Sequence, residues 1–230
     1  KKEIKGCYAH QKLYLFSMSA SNAFIVLVWG VLIQKRSIGN FGFVKENAIS
    51  SYLSGMLIGL LMFSVVYMIS ALTGSISKIR VSGQKDIRIY ASFLLGFLVQ
   101  GMGEEILCRG YFIGSFTRRY SVTAAVLIES IVFTANHLRN NGSNVLSMVN
   151  MFGFALFASL YYLCSKNIWG ICAFHGVWNF VQGNIFGIKV SGTSFGPSLY
   201  ITTAKKGKEL INGGDYGLEG GIITSIAFTV

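Results

Sequence analysis

Hydrophobic positions along the chain form long uninterrupted blocks. Two uncharged apolar stretches, 13–33 and 51–73, each reach the roughly 20 residues that a membrane-spanning helix needs. Further apolar blocks cover 89–116, 122–137, 146–164 and 168–188, and a last one begins at Gly221. The pattern predicts an all-α, multi-span transmembrane bundle of about six to eight helices.

The amino-acid composition also indicates a protein that is embedded in a lipid bilayer. The chain is 52% hydrophobic and 13% charged, whereas soluble domains are about 25% charged. This balance argues against an ordinary soluble enzyme and against a disordered tail. Because no repeat or linker divides the chain, we expect one integral membrane domain over 1–230 with a motif-bearing core at about 89–187. The chain opens on Lys1 and stops inside an apolar run, so we expect a trimmed sequence.

The net charge of +11 sits in the loops between the apolar blocks. That placement fits loops facing anionic lipid better than a nucleic-acid surface, so no nucleic-acid partner is expected. With six spans, thirteen basic residues lie in segments on the same side of the membrane as the N-terminus, and six lie in the alternate loops. The positive-inside rule then puts the N-terminus in the cytoplasm, and the Lys-, Ile- and Asn-rich loops favour a multi-pass bacterial plasma-membrane protein.

Ionisable residues inside the apolar blocks are the first functional signal. A charge at membrane depth costs at least about 2.5 to 3.5 kcal/mol, so charges that remain usually face a polar interior. In the third block, Glu105 and Arg109 are spaced to pair on one helix face, and Glu104 points about 100° away. A pair that only neutralises two buried charges is the simpler explanation, but it leaves the extra Glu unexplained.

Two later blocks each carry a histidine motif. His137 ends FTANH with Phe133 one turn before it, and His175 begins HGVWN with Asn179 one turn after it. A helix cap for His137 and interhelical hydrogen bonds for His175 and Asn179 are the structural alternatives. The expected fold would then enclose a polar intramembrane cavity.

The residue types in these motifs suit hydrolysis of an amide. A carboxylate and an imidazole can deprotonate a water, while Asn and a second His can stabilise an oxyanion. Glu and two His also resemble the three ligands of a catalytic zinc, although HExxH is absent. The metal-ligand candidates are Glu104, Glu105, His137 and His175.

The three motifs in this order, GluGluxxxArg, PhexxxHis and HisxxxAsn, resemble those of the CAAX-protease and bacteriocin-processing (CPBP) family of intramembrane proteases. This family is also called Abi or type II CAAX prenyl endopeptidase. The resemblance covers 104–179, and GLEGG at 217–221 resembles a glycine-rich feature near the family's C-terminal end.

The resemblance implies a role for each motif. The pair Glu104 and Glu105 would supply the water-activating carboxylate together with His137, without deciding which Glu is the base. His175 and Asn179 would form the oxyanion site. Arg109 would hold the second Glu, and Phe133 would support His137 from the same helix face.

The family resemblance leaves metal dependence and substrate open. We favour a mechanism that requires no cofactor, with Zn as the alternative. The expected partners are a membrane-associated peptide or protein substrate and the lipid bilayer, and the reaction is CAAX-like cleavage or bacteriocin and peptide-precursor processing. The alternative function is a non-catalytic membrane scaffold or bacteriocin-immunity protein. A transporter is a third class, but no inverted repeat supports it.

Overall fold

A computed structural model describes residues 2–229, with side chains for 8, 10–17 and 20–229. The α-helices and β-strands are α1 (Lys2–Val28), α2 (Ala48–Leu72), β1 (Ile76–Val81), α3 (Ile87–Glu105), α4 (Gly114–Phe116), α5 (Val122–Asn136), α6 (Val145–Ser165), α7 (Ile168–Phe180), β2 (Tyr200–Ala204), α8 (Glu209–Asn212) and α9 (Ile222–Thr229). Three π-helical turns, Trp29–Ile33, Ile106–Ile113 and Val181–Ile185, extend α1, α3 and α7. Short 3₁₀ turns cover Ile38–Phe41, Gly214–Tyr216 and Leu218–Gly220.

The predicted all-α membrane bundle is confirmed. Within the described part of the chain, four helices are long and apolar enough to cross a membrane: His10–Ile33, Ala48–Leu72, Ile87–Phe116 and Val145–Ser165. They match four of the predicted blocks. The block at 122–137 forms α5, which matches it in length, and the block at 168–188 forms α7 with its π-helical extension to Ile185. The cytoplasmic position of the N-terminus stays a prediction.

Helix α7 is short because it lies inside the bundle. Every residue from Gly170 to Asn179 is buried, so protein rather than lipid surrounds this helix. A helix enclosed by its neighbours need not match the bilayer thickness. The expectation of a full span at 168–188 rested on hydropathy alone, which does not separate a protein core from a lipid-facing surface.

Glycines let α2 and α3 approach α7 closely. A Cβ at Gly59 of α2 would lie 2.7 Å from the carbonyl oxygen of Phe174, and one at Gly101 of α3 would lie 2.6 Å from the amide nitrogen of Gly176. Small residues at helix crossings are the usual means of tight packing between membrane helices. The two crossings fix the position of α7, which carries the HisxxxAsn motif.

The Gly/Ser-rich region 189–221 has an ordered structure that contains β2 and α8, and we call it the C-terminal cover. Its β2 pairs antiparallel with β1, and three buried asparagines bind its backbone carbonyls. Asn184 donates to the carbonyls of Phe195 and Pro197, and Asn150 donates to those of Glu219 and Gly221. Asn212, within the cover, donates to Lys205 and to Ser75, which precedes β1. Buried amide donors satisfy loop carbonyls that water cannot reach. The segment is therefore held against α6 and α7.

Substitution of Gly59 by Ala tests the close crossing of α2 and α7. The added methyl would clash with the α7 backbone, and such overpacking typically costs about 1 to 3 kcal/mol. Gly153→Ala is the matched control, because it is also a mid-helix glycine but its Cβ would find its nearest neighbour at 3.7 Å. We expect a lower thermal midpoint in detergent for Gly59→Ala and an unchanged or higher one for Gly153→Ala. Equal midpoints for Gly59→Ala and wild type would contradict the close packing.

Candidate active site

The GluGluxxxArg motif lies where α3 changes from α-helix to π-helix. Glu104 and Glu105 end the α-helical part, and Arg109 lies within the π-helical turn Ile106–Ile113. Such π-helical insertions are frequent at functional sites, and they shift the phase of the following side chains. The predicted pair is nevertheless present, because Arg109 Nη1 donates to Glu105 Oε1 at 3.2 Å. Neither side chain is exposed.

Glu105 links two of the motifs. The same Oε1 atom that binds Arg109 lies 2.8 Å from His175 Nδ1. Because this oxygen already accepts from a guanidinium, we assign the imidazole proton to Nδ1. Glu105 is thus a buried, neutralised carboxylate that orients His175, and its Oε2 has no hydrogen-bond partner among the described residues.

Glu104 faces the other way, into a cavity. Its side chain is 28% exposed, and its Oε2 lies 3.9 Å from His175 Nε2. Gln100, one turn earlier on α3, donates to Glu104 Oε1 and accepts from Asn179 Nδ2 at 2.8 Å. Gln100 therefore connects the carboxylate to the carboxamide. The sequence prediction missed Gln100, although its position four residues before Glu104 was a usable signal.

Arg109 holds a second acidic residue that sequence reasoning left out of the site. Its Nη2 lies 3.8 Å from Glu129 Oε2 and donates to the backbone oxygen of Ala155 at 3.0 Å. Ser159 also donates to Glu129 Oε2, at 3.1 Å. Glu129 stands in an otherwise apolar block, which is the same signal that identified Glu104 and Glu105.

His137 caps α5 and also lines the cavity. Its Nδ1 lies 2.8 Å from the backbone oxygen of Phe133, which can only accept, so Nδ1 carries the proton. The Nε2 atom of neutral His137 is then an acceptor. Phe133 also packs on the His137 ring, with centroids 4.7 Å apart. The cap and the cavity position, treated as alternatives from sequence, are both present.

The short length of α5 brings His137 near His175. Phe133, in the last turn of α5, packs on Phe154 in the middle of α6, with centroids 5.5 Å apart. Phe154 in turn contacts the His175 ring at 4.9 Å. The end of α5 therefore lies beside the middle of α6. Straight full-length spans would have left the two histidines at different depths.

A cavity of about 190 Å³ joins the motifs. Its polar lining includes Glu104, His137, His175 and Asn179, whereas the buried Glu105 and Arg109 do not line it. The remaining polar side chains are Asn22, Gln100, Asn140, Ser191, Thr193 and Glu219. Five of the predicted site residues thus line one cavity, because Phe133 also lines it, whereas Glu105 and Arg109 are buried outside its lining.

Glu219 brings the C-terminal cover into the cavity. Its carboxylate accepts from Trp178 Nε1 at 3.0 Å and from Ser191 N and Oγ at 2.7 and 2.9 Å. Trp178 immediately precedes Asn179 on α7. Glu219 therefore ties the cover to the helix that carries the HisxxxAsn motif. The glycine-rich segment had been noted from the sequence, but Glu219 had not been predicted as a site residue.

The donor set does not fit a zinc site as arranged. Among the side chains that the structure describes, no group of three or more His, Cys, Asp or Glu is placed to hold a metal ion. Glu105, one of the four candidate ligands, is engaged with Arg109 and His175. We therefore derive no chemical step through a metal.

Comparison with known proteins agrees with the motifs. Residues 86–181 match the model of the family described as type II CAAX prenyl endopeptidase Rce1-like. The match covers less than half of the chain but includes all three motifs, and it confirms the predicted resemblance to the CAAX-protease family. No curated protein and no solved structure gives a significant match. The matched family is one of proteases, which supports a protease embedded in the membrane.

Replacement of Arg109 by Ala tests whether the buried ion-pair cluster stabilises the fold. Removing one partner of a buried pair leaves uncompensated charge, at a cost of about 3 to 5 kcal/mol. We expect a strongly lowered thermal midpoint and a low yield of monodisperse protein. Arg88→Ala, at an exposed arginine on the same helix, is the control and should leave both unchanged. A wild-type midpoint for Arg109→Ala would contradict a stabilising role.

Proposed function

We propose that the protein is an intramembrane endopeptidase that hydrolyses peptide bonds of membrane-associated peptides or proteins. The observation that carries this proposal is that the two adjacent glutamates lie in different environments. Glu104 opens onto the cavity beside His175, whereas Glu105 is buried and neutralised by Arg109. A carboxylate that opens onto the cavity, with no arginine or lysine bound to it, is placed to accept a proton from water.

In the proposed reaction, Glu104 is the general base. It takes one proton from a water in the cavity, while Nε2 of His137 accepts a hydrogen bond from the other O–H of that water. The water oxygen adds to the scissile carbonyl carbon and forms a tetrahedral intermediate. When the carbon–nitrogen bond breaks, Glu104 returns the proton to the leaving amine. No atom is consumed beyond water, and the carboxylate is regenerated.

Asn179 and His175 would stabilise the oxyanion. Asn179 Nδ2 uses one hydrogen for Gln100 and keeps a second for the substrate. His175 Nδ1 is occupied by Glu105, so Nε2 can donate to an oxyanion only when the ring is an imidazolium. Glu104 Oε2 lies 3.9 Å from Nε2 and Glu105 Oε1 lies 2.8 Å from Nδ1, so a carboxylate faces each ring nitrogen. Donors aimed at a developing charge in a water-poor site are effective transition-state stabilisers.

The lining suggests an apolar substrate segment. Around the polar centre, the cavity is lined by Tyr14 and Leu15 of α1, Phe97 of α3 and Phe195 of the cover. These side chains suit an extended segment held at a membrane, as in CAAX-like tails or in peptide precursors processed at the bilayer. We propose the bacterial plasma membrane as the site of action, with the N-terminus in the cytoplasm.

Glu104→Gln tests the general base. We expect kcat to fall about 10²- to 10⁴-fold, because Gln keeps the shape but cannot accept the proton. The assay is cleavage, by protein in lipid, of a panel of farnesylated CAAX peptides and unprenylated apolar precursors. The thermal midpoint of Glu104→Gln should remain at the wild-type value, whereas Glu105→Gln should lower it by removing one of the two carboxylates that balance Arg109. Glu46→Gln, at an exposed acid, is the control.

Two outcomes would change the proposal. Full activity of Glu104→Gln would remove it as the base. Loss of cleavage with chelator, together with zinc at about one per chain that His137→Ala releases, would replace the metal-independent mechanism. If wild type cleaves no peptide and both Gln variants keep a wild-type phenotype in cells, the protein is a non-catalytic scaffold or immunity protein.

Asn179→Ala tests the oxyanion site. Loss of one such donor typically costs about 10²- to 10³-fold in kcat, and the effect on KM should be small because the donor acts on charge that develops later. Asn40→Ala, at an exposed asparagine outside the cavity, should leave both constants unchanged. A change in KM alone would show that Asn179 binds the substrate without stabilising the oxyanion.

A further inference from the structure

A second pocket lies where the ends of α1 and α3 meet, away from the motif cavity. Its lining residues are Gln34, Arg36, Ser115, Phe116, Arg118, Arg119 and Tyr120. Three of these seven side chains are arginines and none is acidic. The pocket volume is about 520 Å³, and its lining shares no residue with the motif cavity.

Arg36 lines this pocket and is buried, and one nitrogen of its guanidinium group has no hydrogen-bond partner among the described residues. The residue is 7% exposed. Its Nη2 donates to Ser115 Oγ at 3.0 Å, and its guanidinium lies over the Tyr111 ring, 4.9 Å from the centroid. Its Nε is buried and has no hydrogen-bond partner among the described residues. Burial and the nearby charge of Arg118 lower the pKa of Arg36.

No carboxylate of the described residues balances this charge. The ion pairs within 4 Å that the described side chains form involve Arg88, Arg109, His175 and Lys189, but none of the three pocket arginines. A buried cation with only neutral contacts and another cation beside it is electrostatically unfavourable. An anion in the pocket would compensate the charges of both Arg36 and Arg118.

The position of the pocket indicates where the anion comes from. The candidate span His10–Ile33 ends one residue before the pocket residue Gln34, and the span Ile87–Phe116 ends within the pocket lining, so the pocket lies at the end of the apolar region. Three rings, Phe112, Phe116 and Tyr120, stack in sequence with centroids 4.9 and 5.8 Å apart. Tyr120 is 54% exposed. Aromatic side chains of this kind concentrate at the level of lipid headgroups.

We propose that this pocket binds a phosphate-bearing anion, either the headgroup of an anionic phospholipid or free phosphate. Arg36 contributes the buried donor, and Arg118 and Arg119 contribute exposed ones. Guanidinium groups bind phosphate oxygens through charge-assisted, often paired hydrogen bonds. The aromatic stack beside the pocket fits the glycerol and upper acyl region of a lipid. The proposal is independent of the protease function.

Native mass spectrometry of the full chain released from mixed bilayers tests this site. Equal amounts of phosphatidylglycerol and phosphatidylcholine are offered, because both carry phosphate but only the first has a net negative charge. We expect one phosphatidylglycerol to remain bound preferentially. The double variant Arg118→Gln/Arg119→Gln should weaken its retention by about tenfold or more, as loss of charged hydrogen bonds implies.

The matched control is Lys45→Gln/Lys166→Gln, which removes the same charge from exposed lysines outside the pocket. It should retain the lipid as wild type does. Because Arg36 is buried and its replacement also changes packing, the exposed double variant is the decisive one. Displacement of the lipid by millimolar inorganic phosphate would support the pocket with free phosphate as its ligand. Equal retention of both lipids, or an unchanged double variant, would overturn the proposal.

Discussion

The structure depends on burying Arg109 among carboxylates inside an apolar helix bundle. One guanidinium contacts Glu105, lies close to Glu129 and donates to the backbone of α6, so it connects three helices at the centre of the protein. Removing water from such charges is costly unless each has a partner. The arrangement leaves Glu105 fixed and neutralised and Glu104 directed at the cavity. The chemical difference between two adjacent glutamates therefore follows from where one arginine is placed.

Tight helix packing supplies the precision that this charge cluster requires. Glycines of α2 and α3 let α7 lie close enough for His175 to reach Glu105 and for Asn179 to reach Gln100. The C-terminal cover then holds α7 from the other side through Glu219 and Trp178. Packing and hydrogen bonding thus act on the same helix. A site built on an enclosed helix is held more rigidly than one built on a mobile loop.

The basic pocket at the ends of α1 and α3 shows a different use of buried charge. Around Arg109 the protein supplies its own anions, whereas around Arg36 the described residues supply only neutral contacts and further cations. The first arrangement is self-sufficient and the second is complete only with an external anion. The sequence analysis used the basic loop residues only to assign topology. Three of them, Arg36, Arg118 and Arg119, also line one pocket.

The sequence by itself determined the class of fold and most of the candidate site. Charged residues in apolar blocks are costly, so Glu104, Glu105, Arg109 and the two histidine motifs stand out without any coordinates. Hydropathy cannot tell protein core from lipid-facing surface, so the enclosure of α7 by its neighbours was not predictable. Gln100 and Glu129 carried usable sequence signals, but their contacts with Asn179 and Arg109, like those of Glu219 with Trp178, join segments that are distant in sequence. Which glutamate faces the cavity was decided by tertiary structure, because adjacent residues differ only in what surrounds them.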